Sequence, residues 1–114
     1  MNIEKQVVSL ELAKKMKELG FPQESLFWWQ LEASDFAPNH EKVVLKEHRN
    51  KIFVSHPAYT VAELSEILPP YYASHKEDNL YRCFGGERIH SETADTEADA
   101  RAKTLIYLKE NNLL

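Results

Sequence analysis

A chain of 114 residues, 43% hydrophobic and 28% charged, has the make-up of one globular domain with enough apolar material for its own core. Its formal charge of −4 disfavours a nucleic-acid ligand, which needs a concentrated basic patch. Its single cysteine, Cys83, excludes an internal disulfide and a cysteine-based metal knuckle. No apolar run reaches the length of a membrane span, and MNIEKQVVSL lacks the apolar stretch of a secretion signal, so the expectation is a cytoplasmic protein without a membrane partner.

Three helices are marked by their ends. Ser9 stands as cap of the first, with Glu11 in its first turn, where the helix dipole favours an anion. Leu12, Met16 and Leu19 then form one apolar stripe, Gly20 supplies a left-handed stop, and Pro22 prevents resumption. Next comes Ser25–Leu31, within SLFWWQLEAS, whose aromatic and apolar residues read as a strand. Val43–Lys46 and Ile52–Ser55 read as further strands around a turn near His48-Arg49-Asn50. The segment 39–52 also admits a helix begun at Asn39.

The second helix opens on Thr60-Val61-Ala62-Glu63, a capping box, and Pro69-Pro70 stops it after little more than two turns. Val61, Leu64, Ile67 and Leu68 make its buried side. NLYRCFGGERIHSE reads as a hairpin around Gly85-Gly86. The third and longest helix begins at the cap Thr96 and buries Ala98, Ala102, Leu105, Ile106 and Leu108. Lys109, near its last turn, falls on the same arc and snorkels. The order α-β-β-(β)-α-β-β-α, without βαβ alternation, predicts a single α+β domain over residues 1–114: three helices packed on a small, mainly antiparallel sheet. Two successive helix-then-strands units suggest a duplication, but their sequences do not align.

The stretches VVSLELAKKMKELGFPQESLFWW, YTVAELSEILP and TADTEADARAKTLIYLKENNLL resemble a family of small, uncharacterised proteins common in phages and prophages of bacteria. The resemblance covers both ends and the middle helix but not residues 33–55. It implies a phage or prophage origin and a bacterial cytoplasm. It brings no activity and no catalytic residues.

The residues themselves offer two candidate surfaces. On a strand, Leu26 and Trp28 point one way and Phe27 and Trp29 the other. A sheet covered on one side buries one pair; the second is left for the 33–42 loop, a homo-oligomer interface or a ligand. On a two-residue hairpin, Cys83 faces Arg88 and Tyr81 faces His90. That gives an outer face of Tyr81, Cys83, Arg88 and His90 able to stack on a ring and pair with an anion, while Leu80, Phe84 and Ile89 face the core. The candidate binding surface is thus Phe27, Trp29, Tyr81, Arg88 and His90.

Chemistry finds no foothold. His40, His48 and His56 recur every eighth residue without a metal-binding pattern, Cys83 has no adjacent base, and FGGER lacks the lysine and helix of a phosphate loop. The expectation is a protein with no cofactor, no metal and no enzymatic activity, which binds a host protein. The alternative is a small-molecule or nucleotide binder, one form of which sequesters a host defence signal.

Overall fold

The computed structural model describes residues 3–33, 41–48, 54–85 and 91–114. After a short 3-10 turn at Ile3–Lys5, helix α1 runs Leu10–Glu18. Met16 and Ala13 are fully buried on its apolar side, with Leu12 and Leu19 packed at the margin. Gly20, at φ 86°, ends it. The N–H of Gly20 bonds Lys17 O and that of Phe21 bonds Met16 O, both at 3.1 Å, a Schellman closure that only a left-handed residue permits cheaply. The start of the helix differs from expectation. Ser9 is extended and makes no side-chain cap; its backbone N–H is instead satisfied by Asp99 Oδ1 at 2.7 Å.

Strand β1 is Trp28–Ala33, shifted from the expected Ser25–Leu31. The cause is Glu63, whose carboxylate accepts the Ser25 hydroxyl at 3.0 Å and the Leu26 N–H at 3.3 Å. Strand β2 is Glu41–Lys46, which excludes the helical reading of that stretch. Strand β3 is Val54–Pro57, ending two residues later than expected, while the expected start at Ile52 lies outside the described residues. Residues 34–40 and 49–53, with most of the expected turn, lie outside the described residues. The three strands form an antiparallel sheet in the order β2-β1-β3.

Helix α2 (Val61–Ile67) carries the expected capping box: Thr60 Oγ1 accepts the Glu63 N–H at 3.2 Å and Glu63 Oε1 accepts the Thr60 N–H at 3.0 Å. Leu64 and Leu68 are buried beneath it. Just before the cap, the buried Tyr59 donates its hydroxyl to Pro22 O, tying α2 to the α1–β1 connection. Burial, and secondarily the Glu63 carboxylate, pushes the phenol pKa up to about 12.

A second antiparallel sheet follows, in the order β4-β5-β6, from Tyr72–Glu77, Leu80–Gly85 and Ser91–Ala94. One small sheet was expected; two are present. Strand β4, YASHKE, has no apolar alternation because it is a sheet edge with a single buried residue, Tyr72. The tight turn is Asp78-Asn79, with Asp78 left-handed at φ 49°, not Gly85-Gly86. On the far side Phe84 pairs with Ser91 and Cys83 with Glu92, so the two-residue hairpin around the glycines does not form. Gly85 instead sits beneath the ring of its cross-strand partner Tyr72, where a Cβ would approach within 2.6 Å of the ring.

Helix α3 (Glu97–Glu110) lies between the second sheet on one side and α1 and α2 on the other. Thr96 caps it by accepting the Asp99 N–H at 3.2 Å. The expected arc is buried, and so are Ala100 and Thr104 on the reverse side. Three buried alanines and Thr104 let elements approach on both faces, and the Thr104 hydroxyl donates to Ala100 O at 3.0 Å. Lys109 is exposed, its ammonium 5.9 Å from the Phe21 ring centroid. The two α-β-β-β units are not copies: the first strand is central in one sheet and the second strand in the other.

Candidate functional site

The two adjacent tryptophans are both covered. Trp28 is 7% exposed, on the side of β1 that also buries Gln30. Trp29, on the opposite side, is half-buried against the main core, and its indole N–H donates to Val8 O at 2.7 Å. Neither ring stands open as a stacking platform. What stays accessible are the flanks of that run, Leu26 at 65% exposure and the half-buried Phe27 and Leu31.

Strand register shows what shares the Trp29 side. Phe27, Trp29 and Leu31 lie on one face with Val43 and Leu45 of β2 and with Val54 and His56 of β3. Leu31 is flanked directly by Val43 and Val54, so an apolar row crosses all three strands. Its outer members are 42% and 58% exposed. At the other end of this face, Phe27 shares a groove with Ile3, Glu4, the run Val43–Leu45 and Glu47.

His56 marks the covered part of the face. It is 9% exposed, and its Nδ1 has no hydrogen-bond partner among the described residues. Burial lowers its pKa, reinforced by the ammonium groups of Lys17 and Lys14 on α1. Lys17 is anchored there by donating to Ser55 O at 3.1 Å.

The second expected surface is reorganised. Tyr81 lies opposite Ala94, not His90, and Cys83 opposite Glu92, not Arg88. The face expected to be outermost is the inner one: Cys83 is fully buried and Tyr81 packs half-buried against the core, whereas Leu80 is 43% exposed. Arg88, His90 and Ile89 lie outside the described residues. Tyr81 lines a different depression from Phe27, beside Val61, Lys5 and Thr96, so the structure does not gather the expected residues into one site.

The outer face of the second sheet holds a polar network. Glu77 accepts from Arg82 Nε at 3.0 Å and pairs with His75 Nε2 at 2.7 Å, while Arg82 Nη1 donates to Ser91 Oγ at 2.8 Å. Bonds from His75 and Arg82 hold the Glu77 carboxyl below its ordinary pKa. This uses the expected arginine chemistry internally, at Arg82. The Cys83 thiol is pushed up in pKa by burial, and a thiol so held is a poor nucleophile.

Among the described residues, no group of histidine, cysteine and acidic side chains is arranged to hold a metal ion, and no helix is long and apolar enough to cross a membrane. The sequence reading missed the open Val43–Leu31–Val54 row. Its only trace is the pair of apolar strands, because exposure depends on where α1 stops covering the sheet. Comparison with known proteins finds no matching family model, no matching curated protein and no matching solved structure.

Proposed function

We propose that this is a phage or prophage accessory protein of the bacterial cytoplasm that acts without catalysis, by binding a host protein. The observation that carries the reading is the Val43–Leu31–Val54 row. A run of β-branched and leucine side chains left open across three strands is costly in water and suits burial by a second protein surface. The adjoining Phe27 groove extends the apolar area toward the N-terminal turn. The small-molecule alternative is less well supported, since it relied on exposed rings and Trp29 spends its N–H and much of its face on the core.

The test is capture of host proteins from bacterial lysate with the wild type and with Val54→Asp. Each captured protein is then purified and its affinity measured directly. The reading expects one partner whose binding weakens by about tenfold or more in Val54→Asp while the thermal transition is kept. A metabolite co-purifying with the protein and unaffected by Val54→Asp would overturn it.

A further inference from the structure

We infer that His56 is a proton-operated catch that holds helix α1 on the first sheet: when its ring takes up a proton, α1 and the sheet separate and Trp29 is uncovered. The inference does not depend on the binding reading above. His56 is 9% exposed, yet its Nδ1 has no hydrogen-bond partner among the described residues. A neutral imidazole can leave that nitrogen as an unused acceptor. An imidazolium carries an N–H on it, which must find an acceptor or water.

The surroundings supply no charge of the opposite sign. Helix α1 packs on β3 and directs two ammonium groups toward the ring, Lys17 and Lys14. On β1 the cross-strand partner of His56 is Trp29, and its neighbours along β3, Ser55 and Pro57, are uncharged. Among the described residues no carboxylate counters the two lysines. Burial first, and the lysines second, therefore hold the ring neutral while the contact is closed.

Lys17 is also the tie. Its ammonium donates to Ser55 O at 3.1 Å, one residue from His56. One side chain thus fastens α1 to β3 and repels a charge on His56, so relief of the repulsion undoes the fastening. Beyond that tie the hold is slight. Among the described residues the first sheet meets the main apolar cluster only through Trp29, whose indole N–H bonds Val8 O at 2.7 Å. Separation breaks that bond and adds Trp29 to the open row of Val43, Leu31 and Val54 on the same face. The main cluster, with Cys83 inside it, stays closed.

The closed form is complete above the ordinary pKa of 6.5 and is lost as pH falls. With the proton bound only in the released form, the ratio of released to closed protein changes about tenfold per pH unit. The titration of His56 and the uncovering of Trp29 then share one midpoint, below 6.5.

NMR of the wild type between about pH 8 and 4 tests this, following the His56 ring and the Trp29 indole N–H together. A dipyridyl disulfide, which reacts with thiols in acid, reports on Cys83 in parallel. The indole signal should move to the position of an exposed indole at the same midpoint as His56, with Cys83 still protected. In His56→Gln the indole should stay bonded throughout. Lys17→Met, which removes both the tie and the nearest repulsion, should move the two midpoints upward together. Should His56→Gln fail to fold, that joint shift decides. Titration of His56 with an unmoved indole, acid exposure of Trp29 that persists in His56→Gln, midpoints unchanged by Lys17→Met, or no response over the range would each overturn the inference. So would Cys83 reacting in step with Trp29, the mark of general acid unfolding.

Discussion

Ser9 and Asp99 are ninety positions apart in sequence and 2.7 Å apart in the fold, the backbone N–H of one donating to the carboxylate of the other. The bond joins the N-cap residue of α1 to the first turn of α3, and it satisfies the backbone N–H of a cap whose own hydroxyl makes no capping bond. Asp99→Ala should therefore destabilise the protein by about 1–2 kcal/mol, as expected for a part-buried hydrogen bond to a charged group. Ser9→Ala should change stability by no more than about 0.5 kcal/mol. Urea denaturation of the two variants checks the pair; an equal loss in both would restore the side-chain cap.

His56 predicts an acid-side weakening. Its folded pKa lies below the ordinary 6.5, so as pH falls through that value the unfolded chain takes up a proton that the folded chain refuses. Stability is complete above the unfolded pKa and declines as pH drops toward the folded one. The melting temperature of the wild type should fall between about pH 7 and 5, and that slope should flatten in His56→Gln. Parallel slopes in the two proteins would assign the effect elsewhere. Glu77 adds a separate loss at lower pH, because its depressed pKa makes it a carboxylate that stabilises the fold until it protonates.

Gly85 is required by a neighbour and not by its own backbone. Gly85→Ala should cost about 1–3 kcal/mol, since the new Cβ meets the Tyr72 ring and that ring is itself buried. In a Tyr72→Leu background the same substitution should cost far less. Thermal melts of the four-protein cycle measure the coupling, and additive effects would show that the ring yields freely.

Cys83 should resist alkylation in the folded protein and react on unfolding, at a rate that tracks global opening. Cys83→Ser, harmless for a surface cysteine, should destabilise by about 1–2 kcal/mol by placing a hydroxyl in the core. Mass-spectrometric labelling with and without urea checks the first expectation and a melt the second.

The helices were legible because their signals are local. A capping box, a glycine stop and a proline pair each act within one turn, and Thr60, Gly20 and Pro69 do what their types dictate. The hairpins were less legible because register is decided across strands. Gly85-Gly86 resembled a tight turn, but Gly85 is held under Tyr72, a residue of a strand whose sequence, YASHKE, carries no period-two signal. Pairing slid accordingly, and with it the assignment of Cys83 to the outside. The tryptophans misled in another way: alternation correctly separated Trp28 from Trp29, but it could not report that Val8 would come to meet the second indole.

The arrangement of the core has one more consequence. The main apolar cluster is built from the three helices, the second sheet and the segments around Val8, Phe21 and Tyr59; among the described residues, the first sheet enters it only through Trp29. Amide protons of β1, β2 and β3 should consequently exchange with solvent through a partial opening, while those of α3 and β5 wait for complete unfolding. A partner that docks on the first sheet would then slow exchange most in the region that exchanges fastest when alone.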